Sequence, residues 1–538
     1  MVDQATANEG ATSAPVSPLA PPASPPGPEP ILSISEQATA NSSRRFNSPR
    51  ILKRIYETPF RTKNPTHGRY LDEVTAWGMD AAGRGPLNQA GSYIGVAIII
   101  LASMDAERDA GCLEEAENPA QCPARVYGLR PSSLLTMASV VVGIASAISM
   151  PFVGAIVDHT SHRKTVGAAT AFLVCAVTGI QIFLSGSTWF ACLILEIVGG
   201  YALIMHFMSV MAYLPDLSPV EDDLAYYTAH FNMKMYVFQL LYVSIVIGIG
   251  SGLELGSVNY ARVAVGLAFI ASILLFGYSW LFLFRKRPPL RKVPEGTSIY
   301  SAGPTQLWRT SKLIVTKYNS LKWFMFALLW TPESGAGVVL SIVVTYLNVV
   351  ITMENNQIAI TNLILLIFTV PGSYWAIWFM RRFNPLNSFR WSLVFFICVL
   401  AFTLIFVNGP DRLNWTYGAG VFWGIAYGWM NPSQRTLQVT LTPRGQEAEI
   451  MGLFTFVTQV IGWLPALIFS VLNENGVDMR WGVSVVCWEV AVAVVCLLFV
   501  GDYDDAVWQV QKEAEPESDE EAAKAEITET KATIVGSS

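Results

Sequence analysis

Twelve apolar segments of about 20 residues, the length needed to cross the hydrocarbon core of a bilayer, recur along this chain. In the first half they run approximately over residues 74–103, 131–157, 165–185, 188–214, 231–252 and 260–284. In the second half they run over residues 321–347, 357–380, 389–408, 413–434, 447–472 and 479–501. Backbone polar groups in lipid must be satisfied within the segment, so the expected fold class is an all-α polytopic membrane protein of twelve transmembrane helices in two six-helix bundles. Composition agrees, since 52% of the 538 residues are hydrophobic and only 14% are charged.

The polar breaks divide the chain into five parts. A disordered and basic tail is expected over residues 1–72, a first bundle over 73–284 and a central loop over 285–320. A second bundle follows over 321–501, then an acidic tail over 502–538. Residues 1–43 are rich in Ala, Ser and Pro and bury too little apolar surface to offset the entropy of ordering. Residues 44–69 turn basic, which suits a segment lying against an anionic leaflet. With both termini cytosolic, about 28 of the 35 Lys and Arg residues fall on the cytosolic side, as the positive-inside rule requires. The net charge of -6 is segregated into loops and tails and gives no support for nucleic-acid binding. The seven cysteines show no metal-ligand spacing, so neither metal nor cofactor is expected. Cys112 and Cys122 share the loop at 104–130 and are a candidate disulfide if that face is lumenal or extracellular. No nucleophile and base pair or phosphate-binding loop is present, so an enzyme is not expected.

The two halves carry matching features. Trp77 is followed three residues later by Asp80, and Trp330 by Glu333, in each case just before small residues. Many transporters are built from such repeats with the substrate site between the halves. A charge at bilayer depth is costly and must face the bundle interior or water. Asp80 and Arg84 are four residues apart on one helix and form either a structural ion pair or a substrate-contacting pair. Glu333 stands at the repeat-related place. Glu196 lies among apolar neighbours in the fourth helix, where a carboxyl can carry a proton, and a packing partner is the alternative. Glu489 in the last helix reads as structural. Lys234 and His206 lie near helix ends, where snorkelling is expected. Gly420, Gly424 and Gly428 form a stripe that favours close helix packing.

Between the second and third helices, Gly154 is followed by Asp158, Arg163 and Lys164. This stretch resembles the signature loop of the major facilitator superfamily. Within that superfamily, Pro443, Gly445, Glu447, Glu449 and Gly452 at the eleventh helix resemble a motif of the autophagy-associated vacuolar amino-acid effluxers. Tyr213-Leu-Pro-Asp216 and the acid at Asp80 are further similarities. The resemblance implies a multi-pass protein of the vacuolar membrane that exports amino acids to the cytosol by alternating access during autophagic recycling. Its expected partners are the bilayer and a small solute, with proton coupling possible. Asp80, Arg84, Glu196 and Glu333 are the candidate substrate and proton pathway, and Gly154, Asp158, Arg163 and Lys164 a conformational latch. The alternatives are a facilitator for an organic anion or sugar, and a non-transporting receptor or scaffold.

Overall fold

The computed structural model describes residues 56–110, 124–218, 220–289, 298–332, 336–443 and 447–512. Cys112, Cys122, Glu333 and Gly445 lie outside the described residues. The first half is built from α1 (Asp72–Ala110), α2 (Pro131–His159), α3 (Arg163–Gln181), α4 (Trp189–Met211), α5 (Glu221–Gly252) and α6 (Ser257–Tyr278), which ends in a π-helical turn, Ser279–Leu283. The central connection carries α7 (Ile299–Lys317). The second half contains α8 (Asn319–Leu329), α9 (Ala336–Val349), α10 (Asn355–Phe383), α11 (Pro385–Phe406), α12 (Leu413–Thr440), α13 (Glu447–Val460), α14 (Leu464–Glu474) and α15 (Met479–Leu498), followed by α16 (Tyr503–Lys512).

Among the described residues, ten segments are long and apolar enough to cross a membrane. The other two crossings are α12, diluted by glycine and polar residues, and the seventh, which is split into α8 and α9. Pro332, just past the end of α8, accounts for the helix stopping there, because proline removes a helix hydrogen bond and clashes with the preceding turn. The eleventh crossing is also interrupted, between α13 and α14, where Gly462 precedes Trp463 and Pro465 opens the new helix. Other helix starts follow local chemistry. Pro131 opens α2, Glu354 and Gln357 form a capping box at α10, and Asn384 at φ 77° caps α11 just before Pro385.

The glycine stripe is a packing device. Side chains on Gly424 or Gly428 would run into the Leu365 and Thr369 carbonyls of α10, and one on Gly372 into the Ile425 carbonyl of α12. The two helices therefore cross backbone to backbone. Across the two halves, α2 packs on α9, α13 and α14, and α5 packs on α10. A Cβ on Gly143 would stand 2.6 Å from that of Trp463, so the interruption in the eleventh crossing sits directly against α2.

The expected boundaries of the tail and central loop shift on two counts. Residues 56–70 are held against the first bundle by specific bonds. Lys234 Nζ donates to the Phe60 carbonyl (2.5 Å) and Thr62 Oγ1 (2.7 Å). Asn64 donates to Asp223 (2.6 Å) and Tyr227 (2.9 Å), and Thr66 to Asp223 (2.8 Å). Lys234 is thus buried and bonded inside the protein, which replaces the snorkelling expectation. Residues 299–317 of the central loop are helical, and α7 packs against α2, α8 and α13 at the Asp158 face.

Candidate functional site

Among the described residues, three of the charges expected at bilayer depth, Asp80, Arg84 and Glu196, lie in the first bundle. Asp80 is fully buried on α1, and Arg84, one turn on, is 4% exposed. Their closest atoms, Asp80 Oδ1 and Arg84 Nη2, are 3.5 Å apart. The other carboxylate oxygen is engaged more tightly, by His206 Nε2 of α4 at 2.8 Å and by the Trp280 indole N–H of the π turn at 2.8 Å. Trp280 reaches Asp80 through a notch at Gly167, where any side chain would collide with the indole ring. The Gly167 carbonyl lies 3.1 Å from His206 Nδ1. Three helices and the π turn thus converge on one carboxylate. The sequence position of His206 suggests snorkelling, but the residue is fully buried and part of this centre.

Arg84 is loosely held by comparison. Its guanidinium lies over the Phe207 ring, 4.9 Å from the centroid, and Nη1 makes a long 3.4 Å bond to the Leu203 carbonyl. Among the described residues, its Nε and Nη2 have no hydrogen-bond partner. Trp77, the aromatic of the repeated Trp-x-x-acid pattern, anchors α1 by donating to the Val210 carbonyl of α4 at 3.1 Å.

Glu196 occupies a second polar site nearer the opposite face. Its Oε2 accepts from Gln181 of α3 at 2.8 Å. It lines a cavity of about 70 Å³ with Leu87, Gly91, Thr178, Gln181 and Leu203. The cavity is large enough for a few waters and is lined by α1, α3 and α4 of one bundle. Glu489, half-buried on α15, joins neither cluster.

The latch residues lie at the end of α2 and start of α3. Arg163 is buried and donates to Asp216 (2.6 Å) and to the Ala212 carbonyl (3.0 Å), and Lys164 donates to the Phe284 carbonyl (2.6 Å). These contacts tie α3 to the ends of α4 and α6 within the first half. A Cβ on Gly154 would meet only Met208, at 3.7 Å. In the eleventh-helix motif, Pro443 is buried just before α13, Glu447 begins α13, Glu449 lies in its first turn and Gly452 one turn further.

On the face opposite Asp158, a polar seam joins the two halves. Asn473 of α14 donates to Ser132 (2.8 Å) and Ser133 (2.7 Å) of α2, and Thr136 meets Ser470 at 2.6 Å. Glu474 accepts from the Arg130 backbone N–H at 2.8 Å and pairs with Arg125 at 3.2 Å. Asn355 at the start of α10 donates to the Ser257 carbonyl at 2.8 Å, and Asn362 donates to Gln89 at 3.1 Å.

Two helical bundles meeting along a polar seam, with ionisable groups buried at bilayer depth and two interrupted crossings, define a membrane carrier of small solutes. A family model for the Major Facilitator Superfamily matches residues 90–466, and the chain belongs to that superfamily. Similar solved structures include a POT family transporter in complex with 5-aminolevulinic acid, at 13% identity over 82% of this chain and 98% of that one, with a TM-score of 0.52. A bacterial homologue of the iron transporter ferroportin in its inward-facing state matches at 14% identity over 79% and 99%, with a TM-score of 0.51. The inward-open xylose transporter XylE from E. coli matches at 16% identity over 78% and 95%, with a TM-score of 0.50. No curated protein matches the chain.

Proposed function

We propose that this transporter exports amino acids from a vacuole or lysosome-like lumen to the cytosol, in keeping with a role in autophagic recycling. The Asp158 face is then cytosolic, and the two bundles rock about a site near the midplane. The observation that carries the reading is the buried Asp80 and Arg84 pair, an acid and a base on one helix face with donor groups of Arg84 left unpartnered. An amino acid presents both an ammonium and a carboxylate, and two opposite charges in the protein match it.

In this reading Arg84 takes the carboxylate, while Asp80 and Glu333 hold the ammonium. In sequence Glu333 falls between α8 and α9, and discontinuous helices recur at carrier substrate sites. Glu196, beside its water-sized cavity, carries a coupling proton that an acidic lumen supplies. Arg163 and Lys164 brace the α2–α3 hinge, and together with Asp158 they set the balance between the two states of the carrier. The membrane is vacuolar and both termini are cytosolic.

The test is counterflow in vesicles reconstituted with the full chain, using a panel of amino acids with and without a pH gradient. Uptake that Asp80→Asn and Glu333→Gln abolish supports the assignment; uptake of every substrate unchanged in both variants removes it. The loosely held guanidinium equally suits a simple organic anion, so the panel includes carboxylates without an amino group.

A further inference from the structure

A histidine whose two ring nitrogens both face acceptors must carry more than the single proton of neutral imidazole, or share one with a neighbour. His206 Nδ1 faces the Gly167 carbonyl at 3.1 Å and Thr170 Oγ1 at 3.3 Å. The Val166 and Gly167 carbonyls, at 2.8 and 3.0 Å, claim the hydroxyl proton of Thr170, which therefore offers the imidazole a lone pair. Nδ1 is thus the donor on that side. On the other side Nε2 lies 2.8 Å from Asp80 Oδ2, and without a proton between them two lone pairs would face each other in a fully buried site. The His206 and Asp80 pair accordingly holds one proton beyond a neutral imidazole and a carboxylate.

The second observation lies across the same carboxylate. His206 and Trp280 both bind Oδ2, and Arg84 is left 3.5 Å from Oδ1, beyond an ordinary charge-assisted bond. Two nitrogens of a nearly buried guanidinium, Nε and Nη2, have no hydrogen-bond partner among the described residues. That is a costly state for a cation, and it suits a bidentate carboxylate ligand.

We propose that the proton held between His206 and Asp80 frees Arg84 to bind the carboxylate of the transported solute, so that proton and carboxylate bind together. When the proton leaves to water, the imidazole becomes neutral and Asp80 turns onto Arg84 as its counter-ion, which withdraws the anion site. The groups facing the pair are Arg84 beside Asp80 on α1, Thr170 and the Cys175 thiol on α3, and the Trp280 indole on the π turn. Glu196 is ten residues from His206 on α4, about 15 Å along the axis, and is a separate site. The proposal rests on the reading that the solute bears a carboxylate.

The experiment is magic-angle-spinning NMR of the full chain in lipid vesicles with 15N-labelled histidine, the His206 signals being those lost in His206→Gln. At pH 6.5 the expected spectrum has a proton on Nδ1 and a second proton on or shared with Nε2. A neutral His206 with a bare Nδ1 overturns the proposal. Counterflow of the same panel supplies the second readout. Wild-type exchange of a carboxylate solute falls by up to about tenfold per pH unit once the proton leaves, as expected for a site linked to one proton. In His206→Gln this dependence flattens, and in Arg84→Ala exchange is lost at every pH. An unchanged pH profile in His206→Gln also overturns the proposal. A proton-bearing His206 with exchange of simple carboxylates but of no amino acid refutes the amino-acid reading and leaves the proton site standing.

Discussion

Asn473→Ala tests whether the polar seam is a gate. The wild-type amide donates two bonds, to Ser132 at 2.8 Å and Ser133 at 2.7 Å, and both hydroxyls are buried, Ser133 completely. Each such bond contributes about 0.5–1.5 kcal/mol, so removing both shifts the closed-to-open balance at that face by about 1–3 kcal/mol. At 25 °C that is a change of about 5- to 150-fold in the equilibrium constant. Opening exposes the hydroxyls to water and recovers their hydration, whereas the sealed state of the variant leaves them without the donor; the shift therefore favours opening. The assay is double electron–electron resonance between spin labels at Ser187 and Asp411, which sit on exposed turns of the first and second halves at that face. A longer-distance population should grow in the variant. If the distance distribution stays that of the wild type while thermal stability falls, Asn473 holds the fold together without selecting a state, and the gate reasoning fails.

Gly428→Leu forces a side chain into the Thr369 carbonyl of α10 and should lower stability by about 1–3 kcal/mol, read as a lower melting temperature in detergent. If melting is unchanged, the backbone crossing of α10 and α12 is looser than described. Asp223, outside the membrane-spanning part of α5, gives a pH-dependent test. Burial pushes its carboxyl up, but hydrogen bonds from Ser218, Thr66 and Asn64 outweigh that and hold it below the usual carboxylate range. Its contribution to docking residues 64–66 is thus fully present above about pH 3.9 and is lost as the pH falls through the lowered folded value. Hydrogen exchange of that segment should speed up only at strongly acid pH in the wild type, and already at neutral pH in Asp223→Asn.

Sequence periodicity was enough for the number and class of helices, because each crossing is a local property of about 20 residues. The Asp80 and Arg84 pair was legible for the same reason, being four residues apart on one helix. What stayed hidden came from far along the chain. His206 is 126 residues from Asp80, and Asn64 is 159 from Asp223, so neither partner leaves a spacing to read. Both His206 and Lys234 looked like residues seeking water at helix ends; in each case the protein supplies the polar partner instead. The Gly167 notch for Trp280 carried one faint signal, a glycine in a helix that has no need of one. The interruption at Gly462 and Pro465 was visible in principle, but a continuous apolar run concealed it.

The split crossings have a mechanical consequence. The helix carrying Asp80 and Arg84 is a single unbroken rod of 39 residues, whereas its counterpart in the second half is two short pieces, α8 and α9, with a second jointed rod, α13 and α14, also in that half. A jointed rod can flex at one end while the other end stays put. The second half thus carries two joints where α1 carries none, and one of them, at Trp463, bears directly on α2 of the first half through Gly143.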